Sequence, residues 1–135
     1  MTQAMVTCSE QLLSSIDKER QGGVGMFSSL NEDEQEGVIG AVSRQAMQTP
    51  SDDTPLRSFI DLANNGQTNA AEALSRCIDR IGAANIPPGF GITLRTFKGP
   101  QDSRATQVIE EIRKQLIKTG TPVGRALQIK RKKRA

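Results

Sequence analysis

Up to residue 82 the apolar side chains recur every three or four positions, the period of helices buried along one side. Residues 5–20 place Val6, Leu12, Leu13 and Ile16 near one face, with Asp17, Lys18, Glu19 and Arg20 beyond them. Gln21-Gly22-Gly23 then reads as a stop, and 24–30 as a short extended piece. Asn31 is set to cap a second helix, because Glu32, Asp33 and Glu34 would occupy its first turn at the positive end of the helix dipole. Val38, Ile39, Val42, Ala46 and Met47 give that helix its apolar side, and the polar run 49–53 ends it. Thr54-Pro55 opens a third helix through Leu56, Phe59, Ile60 and Ala63, closed by Asn64-Asn65-Gly66. Ala70, Ala71, Leu74, Cys77, Ile78 and Ile81 mark a fourth, with Gly82 at its end.

The period then changes. Pro87-Pro88-Gly89 reads as a turn, after which Phe90, Ile92, Leu94 and Thr96 alternate with Gly91, Thr93, Arg95 and Phe97, a strand pattern. Gly99-Pro100 breaks it, and Ser103 is placed to cap a last long helix with Val108, Ile109, Ile112, Leu116 and Ile117 buried. A lone strand leaves backbone groups without partners, so 90–97 should pair either with 24–28 or with its own copy across a two-fold axis. The expected fold is mainly α, an α+β chain of about five helices with a small β element, and a homodimer is favoured because it enlarges a small core.

Composition bounds what such a chain can do. Leu, Ile, Val and Phe make up about a fifth of 135 residues, enough for a small core, with four Phe and neither Trp nor Tyr. There is no His, which removes Ser–His and Cys–His nucleophiles. Two cysteines cannot make a four-ligand zinc site, and Cys8 and Cys77 read as small buried apolar residues without a disulfide. The acidic run Glu32-Asp33-Glu34 with Glu36 lacks the alternating ligands of a calcium loop, and the Gly22–Gly25 and Gly89–Gly91 segments lack the Lys-Ser/Thr of a P-loop. The chain is thus read as non-enzymatic, with no catalytic residue, no metal and no cofactor. No stretch approaches a membrane span and no secretory leader is apparent, so an intracellular location without membrane contact is expected.

Charge supplies the one pointed feature. Residues 1–120 hold 12 bases and all 15 acids, whereas 121–135 hold six bases and no acid. The chain therefore divides into a helical body, 1–120, and a flexible basic C-terminal tail, 121–135, at Thr119-Gly120-Thr121-Pro122. The tail carries Arg125 and the contiguous Lys130, Arg131, Lys132, Lys133 and Arg134, and Arg95, Lys98, Arg104, Arg113, Lys114 and Lys118 precede it. Cations placed against phosphates release condensed counterions, so these residues predict contact with an RNA or DNA backbone. With so few aromatics to stack bases, sequence specificity should be weak.

The expected function is that of a nucleic-acid-binding accessory or assembly protein, such as a component of a virus or nucleoprotein particle. A second reading makes the body a protein–protein adaptor and the tail an address, nuclear in a eukaryotic host. A third follows from element order: strand 92–97, helix 103–118 and a second helix 122–132 resemble a ribbon-helix-helix protein, over about a third of the chain. That resemblance implies a dimer whose paired strands enter the DNA major groove, presenting Thr93, Arg95 and Phe97 or their alternates. The Gly99-Pro100 break between strand and helix departs from that layout.

Overall fold

In the computed structural model, which describes residues 2–128, Asn31 caps a helix through a reciprocal pair of bonds. Its side chain accepts from the Glu34 amide at 2.8 Å, and the Glu34 carboxylate accepts from the Asn31 amide at 3.0 Å. The helix so begun is the third of eight among the described residues: α1 (Gln3–Leu12), α2 (Asp17–Ser29), α3 (Glu32–Gln48), α4 (Thr54–Asn64), α5 (Thr68–Ile81), α6 (Pro88–Arg95), α7 (Arg104–Thr119) and α8 (Pro122–Gln128). A short 3₁₀ turn, Ala83–Asn85, links α5 to α6. Thr2 caps α1 and Ser103 caps α7, while Gly82 takes a φ of 89° where α5 ends.

Among the described residues there is no strand, which corrects the expected α+β class to all-α and the count of helices from about five to eight. The segment 90–97, read as a strand, is α6 and its C-terminal turn. Phe90, Gly91, Leu94 and Phe97 are its buried positions, a helical spacing, while Ile92 stands half-exposed. Gly91 explains the close seat of this helix: a Cβ there would lie 2.6 Å from the Val123 carbonyl oxygen on α8. With α6 helical, neither a strand-paired dimer through 90–97 nor a ribbon-helix-helix strand exists, and Leu94 is fully buried within one chain.

The start of the chain is corrected too. The single helix expected over 5–20 is divided at residues 13–16, where the Ser14 hydroxyl accepts from the Ile16 amide at 3.0 Å and donates to Glu19. The glycines read as a stop lie inside α2, and 24–28 is helix, not an extended piece. Gly23 lies so close to α1 that a Cβ would meet the Leu12 backbone nitrogen at 3.0 Å, so packing offsets the poor helix propensity. Arg20, only 8 % exposed, holds this corner: it donates to the Ser14 carbonyl at 3.1 Å, to Asp17 at 2.9 Å and to Asp61 of α4 at 3.3 Å. Burial holds the Asp61 carboxyl above the usual carboxylate range, Arg20 offsetting only part of the rise.

The principal contacts run from α1–α3 onto α4 and α5, and from those two onto α6–α8, so α4 and α5 form the middle of the molecule. One core passes through all three groups, with Leu12, Phe27, Val42, Phe59, Leu74, Phe90 and Ile109 almost wholly shielded. Helix α8 belongs to it: Val123 is fully buried, Leu127 is 8 % exposed, and α8 packs on both α6 and α7. Residues 122–128, read from sequence as the start of a tail, are therefore part of the packed body.

Candidate nucleic-acid interface

The layering separates charge. Helices α1–α3 and their connections carry seven acids and three bases, whereas residues 88–128, comprising α6–α8, carry seven bases and three acids. Since α4 and α5 stand between, the described part of the protein has an acidic side and a basic side. The residues expected to bind nucleic acid within 88–128 all fall on the basic side, but the structure gives them different tasks.

Arg113 is committed to the fold. From α7 its Nε and Nη2 donate to the Leu94 carbonyl at 2.9 and 2.6 Å, and Nη2 also donates to the Phe97 carbonyl at 2.7 Å. These carbonyls lie at and just past the end of α6, where Leu94 also accepts from the Phe97 amide at 3.2 Å, and a cation is the favoured group at that end of a helix. The guanidinium also sits 5.7 Å from the Phe97 ring centroid and pairs with Glu110 at 2.6 Å. Replacing Arg113 with Gln should cost about 2–3 kcal/mol, since charge-assisted bonds to partly buried carbonyls are lost. Thermal unfolding reads that loss, while the salt dependence of polyanion binding should not change.

Lys114 and Lys118 lie one turn apart on the outer face of α7, are exposed, and engage no partner among the described residues. Arg104 shares that face and reaches Gln107 at 3.5 Å, with Glu110 and Glu111 interleaved. Lys98, in the connection before α7, is exposed and likewise without a partner among the described residues. Arg95 donates to the Ala126 carbonyl at 3.4 Å, and Arg125 to the Gly120 carbonyl at 2.7 Å, both guanidinium groups lying on the α6–α8 side. Ala126 lies two residues before Gln128, the last described residue. Lys130, Arg131, Lys132, Lys133 and Arg134 lie outside the described residues. The structure thus holds Arg95 at Ala126 in the last turn of the described part of α8 and Arg125 back at Gly120 before that helix begins, and it sets Lys114 and Lys118 on α7.

Other candidates resolve as structure. Cys8 and Cys77 are free and buried; burial pushes the Cys8 thiol up to about 11 and raises Cys77, so both stay protonated near neutral pH. Glu32, Asp33 and Glu34 occupy the first turn of α3, as the sequence indicated. One feature went unread: a groove of about 590 Å³ between α5 and α7, floored by Ile78, Ala83, Ile112 and Leu116 and edged by Asp79 and Glu111. Laying the two helices side by side would have found it, because Ser75 and Asp79 on α5 and Glu111 and Gln115 on α7 are each one turn apart. No helix of the described residues is long and apolar enough to cross a membrane. Comparison with protein families, with curated proteins and with solved structures gives no match for this chain.

Proposed function

We propose that this chain is a non-enzymatic nucleic-acid-binding protein, with an accessory or assembly role, that holds RNA or DNA backbones through its basic C-terminal region. The observation that carries the reading is one of charge: residues 88–128, comprising α6–α8, hold seven bases to three acids, and the five contiguous bases 130–134 follow them in sequence. In sequence the run continues a segment of like sign, which concentrates cations toward this end of the chain. Arg113 is not part of the interface, because its donors are spent on α6. Binding should involve phosphates rather than base edges, with no aromatic platform offered: Phe27, Phe59 and Phe90 are fully buried and Phe97 is 7 % exposed beneath Arg113.

The test is binding of the intact protein to random duplex DNA, duplex RNA and single strands at two or more salt concentrations. On duplex DNA the logarithm of affinity should fall with log salt at a slope of about −0.9 per phosphate contacted, so five tail contacts give roughly −4 to −5. Duplexes of unrelated sequence should bind alike. Absence of binding even at low salt would discard the reading and leave the protein–protein adaptor in its place.

A further inference from the structure

The chain contains five asparagines, Asn31, Asn64, Asn65, Asn69 and Asn85, and Asn65 alone is followed by glycine. A residue without a Cβ presents its amide nitrogen to the preceding side chain with the least hindrance. Asn65 and Gly66 are both exposed where α4 ends. Gly66 takes a φ of 84°, and no heavy atom lies within 4 Å of where its Cβ would stand. The two reacting groups are therefore adjacent, open to water and free of packed neighbours.

Hydrogen bonds hold the pair back. The Gly66 amide donates to the Ala63 carbonyl at 2.9 Å, and the Asn65 and Gln67 amides both donate to the Leu62 carbonyl at 3.0 Å. Asn65 Nδ2 donates to Ser28 Oγ of α2 at 3.2 Å, while the Ser28 hydroxyl donates to the Val24 carbonyl at 3.3 Å. Attack by the Gly66 nitrogen needs the bond to Ala63 open. Turning Asn65 Cγ toward that nitrogen needs the bond to Ser28 open.

We propose that Asn65 is a deamidation site of the folded protein, restrained by Ser28. The Gly66 nitrogen bonds to Asn65 Cγ and closes a five-membered succinimide. Nδ2 leaves as ammonia, taking with it the proton of the Gly66 amide. Water then adds to one of the two imide carbonyls. Cleavage at the side-chain carbonyl leaves aspartate, and cleavage at the main-chain carbonyl leaves isoaspartate, in which the chain runs through Cγ. Either product disturbs the α2–α4 contact. Residue 65 caps the end of α4 and its side chain meets the last turn of α2, so a new carboxylate faces the negative ends of two helices. Isoaspartate also lengthens the backbone inside the turn closed by the Leu62 and Ala63 carbonyls.

The test is prolonged incubation of the intact protein in neutral buffer. Aspartate and isoaspartate at each asparagine are followed by fragmentation mass spectrometry and by enzymatic methylation of isoaspartate. Product should accumulate at Asn65 well before Asn31, Asn64, Asn69 and Asn85. In Ser28→Ala it should form there about two- to five-fold faster, the factor expected for losing one exposed hydrogen bond. Product at Asn65 no sooner than at Asn64 overturns the site. Equal rates with and without Ser28, or a rise shared by all five asparagines as general loosening would give, overturn the restraint. Asn65→Asp should melt about 2–4 °C below the intact protein, and an unchanged melt overturns the disturbance of the α2–α4 contact.

Discussion

Cutting the chain after Gly120 should lower the melting temperature by about 15 °C or more, whereas cutting after Gln128 should leave it within about 2 °C. The first cut removes α8, and with it Val123, Ala126 and Leu127, each under a tenth exposed. Burying a Val or Leu side chain is worth about 1.5–3 kcal/mol, so roughly 5 kcal/mol is lost before the newly exposed surfaces of Phe90, Leu94 and Leu116 are considered. That is a large part of the 5–15 kcal/mol that typically separates folded from unfolded domains. Gly124→Val offers the same test at one residue: a Cβ at 124 cannot occupy a position 2.2 Å from the Leu116 carbonyl oxygen, so α8 must move off α7. Circular dichroism melts distinguish the cases, and a chain ending at Gly120 that melts like the intact protein would show that α8 contributes nothing to the core.

The helices were legible where chemistry at their ends and spacing along their sides agreed. Asn31 with Glu34, Ser103, Pro55 and Gly82 mark boundaries that the structure keeps, because each satisfies or avoids a backbone group whatever surrounds it. Segment 90–97 failed that way of reading. Over eight residues, Phe90 and Leu94 fit a period of two and of 3.6 equally, and the deciding partner, α8, lies some thirty residues on. Similarly, Gly22, Gly23 and Gly25 signal a break locally yet lie inside α2, where Gly23 packs closely against Leu12 of α1. The basic bias of the C-terminal third was visible from composition, but the division of labour within it was not. Arg113 answers to the Leu94 and Phe97 carbonyls, and a carbonyl has no signature in sequence. The α5–α7 groove was hidden for a related reason, since it exists only once two helices separated by α6 are laid together.

Replacing Lys130, Arg131, Lys132, Lys133 and Arg134 with Gln should weaken binding to duplex RNA and DNA by about 100-fold or more at low salt. The substitution removes five positive charges and takes the formal net charge from +3 to −2, so long-range attraction to a polyanion becomes weak repulsion. The melting temperature should hardly move, because the described core ends at Leu127. The residual salt slope then reports on the body. If Lys98, Lys114 and Lys118 each meet a phosphate, a slope of about −2 to −3 should remain, and neutralising those three in the tail-deficient protein should abolish it. If instead the tail acts alone, the slope falls to near zero in one step, and the outer face of α7 is merely solvated. Affinity undiminished at physiological salt would place the interface elsewhere on the molecule. The loss should be the same for duplexes of unrelated sequence, because cations removed from phosphates take no base-specific contact with them.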